Sequence, residues 1–210
     1  MEKQIMLGRD FNEKLAVFIA SWFYTGFIPS ITKKSMAGTW GSLFAIPFCL
    51  AAMAVCCQPT LTDGSCDLYG AIVKYASILI YIYFLGRTTI GLAEKVIGPR
   101  VDWKGKTKTH DQNNIVVDEI WGMFITYYPI FLGLISVETI SWKMAVLLII
   151  GFGYFRLFDI IKIWPVKFFD QLESPFGVMM DDGVAGLQAG SLLYITNLLL
   201  IYITALLGLS

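Results

Sequence analysis

The chain has 210 residues, of which 56% are hydrophobic and 15% are charged, against about 25% charged residues in soluble domains. So few charges cannot cover the surface of a soluble protein of this length, and the composition therefore predicts an integral membrane protein. The 16 basic residues balance the 16 acidic ones, which leaves no net positive charge to attract nucleic acid.

Six apolar stretches are candidates for membrane helices, since a helix needs about 17–25 apolar residues to cross the hydrocarbon core of a bilayer. The first, at residues 15–31, is short, contains Ser21 and Thr25, and is interrupted by Gly26 and Pro29. The other five lie at 43–57, 71–86, 120–137, 144–161 and 183–207.

Positive charges orient these stretches, because Lys and Arg are enriched in cytoplasmic loops. Loop 58–70 has no basic residue, whereas loop 87–119 has six. The tail before stretch 15–31 and the segment 32–41 after it are both basic, so they share the cytoplasmic side only if this stretch does not span. The sequence predicts five transmembrane helices plus a re-entrant or interfacial N-terminal helix, in one all-α membrane-embedded domain of residues 1–210.

Acidic residues gather at the predicted cytoplasmic ends of three of these helices. They are Asp118, Glu119, Asp159, Asp181 and Asp182, with Asp111 a short distance ahead of the first pair. Ionisable groups at membrane depth are costly and usually mark function, and Mg²⁺ binds carboxylates together with waters and a substrate phosphate. The helix dipole alone would favour acids at a helix N-terminus, but Asp159 lies at a C-terminus, where an anion is disfavoured. The pattern predicts a Mg²⁺ site built by the five acids, with Asp111 as an outer member.

Two cations accompany the acid at the end of stretch 144–161. Arg156 and Lys162 flank Asp159 along one face of the predicted helix. A guanidinium binds phosphate oxygens through paired N–H groups, and an ammonium adds a point charge. A ladder of ion pairs is the simpler alternative, but we expect Arg156 and Lys162 to bind a phosphate and to act in catalysis.

Segment 38–42, with the sequence Gly-Thr-Trp-Gly-Ser, runs directly into the second apolar stretch. Backbone N–H groups at a helix N-terminus bind anions, and the Thr39 and Ser42 hydroxyls add donors there. A simple turn with Ser42 as the helix N-cap is the alternative. We expect Thr39 and Ser42 to contribute to a phosphate site.

Together these motifs resemble the phosphatidylglycerophosphatase A family of bacterial inner-membrane lipid phosphatases, from about residue 15 to the last apolar stretch. The matching motifs are Gly-Thr-Trp-Gly-Ser-Leu at 38–43, Ile-Val-Val-Asp-Glu at 115–119 with Gly122 and Met123, Phe-Arg-Leu-Phe-Asp at 155–159 with Lys162, Trp164 and Pro165, and Gly-Val-Met-Met-Asp-Asp-Gly-Val-Ala-Gly at 177–186. The chain departs from the family where Ala37 and Ile163 replace prolines, and where 173–176 reads Glu-Ser-Pro-Phe instead of a glycine-rich run.

The resemblance implies a Mg²⁺-dependent enzyme that removes the terminal phosphate of phosphatidylglycerophosphate to give phosphatidylglycerol. It implies a phospholipid substrate and a place in the bacterial inner membrane. With the topology above, the active site faces the cytoplasm. If loop 58–70 lies outside, a disulfide between Cys57 and Cys66 becomes possible.

Several phosphatase mechanisms are excluded by the residues themselves. His110 is the sole histidine, no cysteine begins a Cys-x5-Arg motif, and Asp181 and Asp182 are adjacent rather than spaced as Asp-x-Asp. Metal-assisted hydrolysis remains. Two other classes stay open: a CDP-alcohol phosphatidyltransferase, whose Asp-Gly-x-x-Ala-Arg signature is loosely copied at 182–186, and a cation transporter, which would place polar groups at the bilayer midplane.

Overall fold

The computed structural model describes residues 10–28, 36–56, 67–101, 107–108, 112, 114–135 and 141–208. Its helices are α1 (Phe11–Ala20), α2 (Ala37–Cys56), α3 (Leu68–Ile97), α4 (Val117–Thr126), α5 (Tyr128–Phe131), α6 (Trp142–Ile161), α7 (Val166–Asp170) and α8 (Pro175–Leu206). A 3-10 turn covers Thr25–Phe27, and two short antiparallel strands, Arg100–Val101 and Thr107–Lys108, follow α3.

Four of the helices in the described part of the chain are long and apolar enough to cross a membrane. They are α2, α3, α6 and α8, with 20, 30, 20 and 32 residues. Large apolar side chains such as Tyr81, Ile149 and Leu200 are exposed on them, as a surface in contact with lipid requires and a surface in water disfavours. The prediction of a helical membrane protein is confirmed.

The predicted stretch 120–137 is not a single helix within its described residues. α4 ends at Thr126, and α5 covers only Tyr128–Phe131. Pro129 has no N–H to donate to the carbonyl four residues earlier, so the helical ladder breaks here. The Ile130 N–H donates to the Tyr127 carbonyl three residues earlier, and the Phe131 N–H, in the ordinary helical pattern, donates to the same carbonyl. The count of five transmembrane helices therefore stays a prediction.

The N-terminal stretch also bends earlier than its Gly and Pro residues indicated. α1 ends at Ala20, and Trp22, Phe23 and Tyr24 follow with left-handed φ angles of 46°, 59° and 64°. The turn is fastened to the segment before α4, because the Val116 N–H donates to the Ala20 carbonyl at 2.9 Å. Whether this part is re-entrant or interfacial stays a prediction, but the contact fixes where α4 begins.

The core lies where α4 packs along α8, with α2, α3 and α6 around them. The two helix backbones approach closely at a pair of glycines, since a Cβ on Gly186 would collide with the Gly122 carbonyl oxygen. A Cβ on Gly122 would lie 2.8 Å from the backbone oxygen of Asp182. Because neither glycine has a side chain, the two helices pack closely and the first turn of α4 lies against the acidic part of α8.

Candidate active site

Three carboxylates from α4 and α8 meet at one end of the helix bundle. Asp118, Glu119 and Asp182 each offer one oxygen, and these three oxygens lie within 4.8 Å of one another. Asp118 and Asp182 are only 6% and 5% exposed. Negative charges held this close and this deeply repel one another unless a cation offsets them. The carboxylate cluster, meaning these three residues, is thus a group that can hold a metal ion.

Helix starts determine where these acids stand. α4 begins at Val117, so Asp118 and Glu119 occupy its first turn, as expected. α8 begins earlier than expected, at Pro175, where the Ser174 hydroxyl accepts a hydrogen bond from the Gly177 N–H at 3.2 Å. Asp181 and Asp182 therefore lie about two turns inside α8 rather than at its first turn. Because the dipole acts mainly on the first turn, it does not account for them.

The first turn of α2 closes the cluster from a third side. A Cβ on Gly38 would collide with Oε1 of Glu119 and would lie 3.3 Å from Nη1 of Arg156. The other oxygen of Glu119, Oε2, is buried and has no hydrogen-bond partner among the described residues. A buried acceptor without a donor is costly, and this oxygen is available to a cation.

Arg156 connects α6 to this end of α2. Its Nη1 lies 2.7 Å from Oδ2 of Asp159, one helical turn away, and donates weakly to the Ser42 hydroxyl at 3.4 Å. The Ser42 hydroxyl in turn donates to the Gly38 carbonyl at 2.8 Å. Nε of Arg156 is buried without a hydrogen-bond partner in the described part of the chain, so this N–H group is available to donate a hydrogen bond to a ligand.

Lys162 lies between two carboxylates just after α6. Its Nζ is 2.9 Å from Oδ2 of Asp181 and 2.5 Å from Oδ1 of Asp170. Burial alone would lower the pKa of Lys162, but the negative charges of Asp181 and Asp170 raise that pKa above its ordinary value. The side chain is therefore a firmly protonated cation.

The predicted acids and cations make three sets of direct contacts among the described residues, and the five-acid Mg²⁺ site stays a prediction. Asp118, Glu119 and Asp182 form the carboxylate cluster, whereas Asp159 pairs with Arg156 and Asp181 with Lys162. The ion-pair alternative is found for Arg156 and Asp159. A backbone hydrogen bond from the Asp182 N–H to Oδ1 of Asp181, 3.0 Å, links the cluster to the Lys162 pair.

Segment 38–42 lies inside α2 rather than ahead of it. α2 begins at Ala37, so Ser42 is a buried residue of the second turn and not an N-cap. Thr39 lies in the first turn, next to Gly38. Asp111, Cys57 and Cys66 lie outside the described residues. Asp170 was missed by sequence reasoning, because a lone acid eight residues after Lys162 follows no helical spacing.

Helices of membrane-spanning length, with a buried acidic cluster and two cations at one end, define a membrane protein suited to chemistry on a phosphate ester. The family model of phosphatidylglycerophosphatase A matches residues 18–197. The chain belongs to this family and is a phosphatase, which confirms the resemblance seen in its motifs.

Two relatives carry the same name. The chain is 32% identical to the phosphatidylglycerophosphatase A of Escherichia coli over 158 residues, which are 75% of this chain and 72% of that protein. It is 38% identical to the phosphatidylglycerophosphatase A of Haemophilus influenzae over 81 residues, 38% of this chain and 44% of that protein. No solved structure matches the chain.

Proposed function

We propose that this protein hydrolyses phosphatidylglycerophosphate to phosphatidylglycerol and phosphate, as a step in phospholipid biosynthesis. Family membership and the names of both relatives support this substrate. The observation that carries the proposal is the carboxylate cluster, held beside Arg156 at one end of helices that can span a membrane. A lipid phosphate presented at the membrane surface meets such a site without leaving the bilayer.

Mg²⁺ is the cation we propose for the cluster, with Asp118, Glu119 and Asp182 as its protein ligands. The donor set is entirely carboxylate oxygen, which suits a hard divalent cation. The unpartnered Oε2 of Glu119 and the side-chain-free surface at Gly38 fit such an ion. Bound there, Mg²⁺ would neutralise charge on the phosphate and lower the pKa of a water.

Arg156 and Lys162 would bind the phosphate itself. A phosphomonoester carries close to two negative charges at neutral pH, more than the single charge of Asp159, which Arg156 now contacts. Lys162 lies between two aspartates, Asp170 and Asp181, and would add its point charge to the same phosphate. The phosphate would replace Asp159 at Nη1 of Arg156, and the Nε–H, on another edge of the guanidinium, would remain as a further donor. The Ser42 hydroxyl lies 3.4 Å from Nη1, and we propose that Thr39, in the first turn of α2, contributes to the same phosphate site.

Helix directions support five membrane crossings, including the broken segment. The site contains the start of α4 and the end of α6. Because α6 has 20 residues, its start lies about 30 Å away at the opposite end of the bundle. We therefore infer that the chain crosses the membrane between the start of α4 and the start of α6, with α4 and α5 in the described part of that crossing. Breaks of this kind are tolerated where protein surrounds the backbone, and Phe131 and Ile135 are buried.

We further propose that the site faces the cytoplasm of a bacterial inner membrane. Four basic residues, Arg100, Lys104, Lys106 and Lys108, come between α3 and α4 in the sequence, and Lys33 and Lys34 come before α2. Both α2 and α4 begin at the site. Positive loops mark the cytoplasmic side.

Purified protein in detergent, supplied with phosphatidylglycerophosphate and Mg²⁺, tests the proposal. We expect equal amounts of phosphate and phosphatidylglycerol. A transferase would instead consume a CDP-activated lipid, and a transporter would leave the lipid unchanged. Either result would reject the proposed hydrolysis.

A further inference from the structure

Asp170, the last residue of α7, makes the shortest polar contact of Lys162 in the described part of the chain. Its Oδ1 lies 2.5 Å from Nζ of Lys162. The two side chains are 28% and 27% exposed, whereas Asp181 on the other side of the ammonium is 11% exposed. Asp170 therefore lies on the open side of Lys162, and Asp181 lies on the side of the carboxylate cluster.

Backbone geometry makes this contact possible. Lys162 ends α6 in the left-handed conformation, with φ 51°, which is uncommon for a residue other than glycine, asparagine or aspartate. The chain then turns into α7, which packs against α8. An uncommon backbone conformation at a charged residue next to a candidate active site points to a functional constraint on that residue.

Contacts run continuously from Asp170 inward to the cluster. Asp170 binds the Lys162 ammonium, the ammonium binds Oδ2 of Asp181, and Oδ1 of Asp181 accepts the Asp182 N–H at 3.0 Å. If the outer carboxylate were absent, the anion left in contact with the ammonium among the described residues would be Asp181, with the cluster behind it. Lys162 would then move inward, away from the side where a lipid phosphate arrives.

We propose that Asp170 is a positioning residue, which holds Lys162 outward so that its ammonium can meet the phosphate of the substrate. The proposal rests on the proposed function and names a residue that acts through Lys162 rather than on the substrate. It predicts that removing this negative charge weakens anion binding instead of strengthening it. Removing a negative charge near an anion site by itself favours anion binding, whereas losing the positioning of Lys162 weakens it.

Inorganic phosphate is a probe of this site that does not require turnover. We expect Asp170→Asn to weaken phosphate binding roughly tenfold, the size expected when a hydrogen bond to a charged group is lost. Binding is measured both as product inhibition and as the rise in melting temperature with phosphate. Asp170→Glu, which keeps the charge but shifts it, should give a smaller loss in the same direction. Glu173→Gln removes an exposed carboxylate nearby and should leave binding unchanged.

A second arm separates positioning from simple folding support. In a Lys162→Met background, Asp170→Asn should cause no further loss of phosphate binding, because the group it positions is gone. Phosphate binding as tight as or tighter than wild type in Asp170→Asn would overturn the proposal, and so would full additivity with Lys162→Met. If Asp170→Asn does not fold, Asp170→Glu decides in the same way: weaker binding supports the proposal, and unchanged binding overturns it.

Different measurements test the proposed function and the role of Asp170: lipid hydrolysis by the wild type tests the first, and phosphate binding by the variants tests the second. If the wild-type protein binds phosphate but releases none from phosphatidylglycerophosphate, the proposed function is wrong, while the comparison of variants by melting temperature still tests Asp170. If the wild type hydrolyses the lipid and Asp170→Asn binds phosphate normally, only the positioning role is wrong.

Discussion

Gly38 at the start of α2 faces Glu119 at the start of α4 so closely that a Cβ on Gly38 would collide with Oε1 of Glu119. The nearest backbone of α2 thus forms one wall of the carboxylate cluster. Oε1 lies at the end of the flexible Glu119 side chain, so a larger residue at position 38 would displace Glu119 rather than unfold the protein.

Replacing Gly38 by alanine should therefore remove activity and preserve stability. Alanine favours a helix by up to about 1 kcal/mol over glycine, which offsets the cost of moving Glu119. We expect phosphate release to fall at least tenfold, because catalytic groups lose much of their effect when displaced by about 1 Å. Gly153→Ala in α6 is the matched control, since a Cβ there meets nothing within 4 Å. Equal activity of the two variants would contradict the contact.

Arg156→Lys tests the guanidinium as a phosphate donor. An ammonium keeps the charge but cannot supply two parallel N–H groups, so we expect kcat/KM to fall about 10²–10³-fold, the usual effect of losing a transition-state donor. Lys162→Met should also lower kcat/KM strongly. The Mg²⁺ concentration for half activity should change little in either variant. Full rescue by added Mg²⁺ would show that these cations only support Asp159 and Asp181.

Membrane orientation is tested by cysteine labelling from the outer face of intact cells. In a background without the native cysteines, a cysteine at residue 65 should react and one at residue 107 should not, because loop 58–70 has no basic residue and loop 87–119 has six. The reverse pattern would place the site on the outer side. Residue 65 lies outside the described residues, so this prediction depends on the sequence alone.

Because the charges of the carboxylate cluster repel one another, removing one of them should raise the stability of the Mg²⁺-free protein and reduce its stabilisation by Mg²⁺. Asp182→Asn removes one of three close negative charges, so the Mg²⁺-free protein should melt at a higher temperature than wild type. Added Mg²⁺ should raise the melting temperature of wild type but hardly that of the variant, because a ligand that binds the folded state stabilises it. Asp67→Asn, which changes an exposed acid before α3, should behave like wild type in both respects. Equal Mg²⁺ response of Asp182→Asn and wild type would contradict the proposed ligand set.

Hydropathy predicted the long helices well where the whole helix is apolar. Stretch 144–161 differs from α6 by two residues at its start. In contrast, α3 continues to Ile97, eleven residues beyond the predicted end, because its last turns carry Arg87, Glu94 and Lys95 and do not read as a membrane segment. The start of α8 was missed, although Ser174 and Pro175 form a recognisable cap.

The types of side chain at the site were predictable from the sequence, but most of the contacts between them were not. Sequence spacing places Arg156 and Asp159 on one helical face, and in the structure Nη1 of Arg156 lies 2.7 Å from Oδ2 of Asp159. No spacing rule brings Asp170 to Lys162, because that contact depends on a left-handed residue at the end of α6 and on the packing of α7. Nor could spacing tell that Asp181 binds a lysine while its neighbour Asp182 joins the carboxylate cluster.

Phosphate release from phosphatidylglycerophosphate, measured during a Mg²⁺ titration of wild type and Glu119→Gln, tests whether the carboxylate cluster holds the metal that catalysis needs. We expect wild type to release phosphate only with Mg²⁺ and to stop when the metal is chelated. We expect Glu119→Gln, which loses a carboxylate oxygen of the cluster but keeps the shape of the side chain, to be slowed by more than about a hundredfold at every Mg²⁺ concentration. Release by wild type that persists after chelation, or near-normal release by Glu119→Gln, would contradict this role of the cluster.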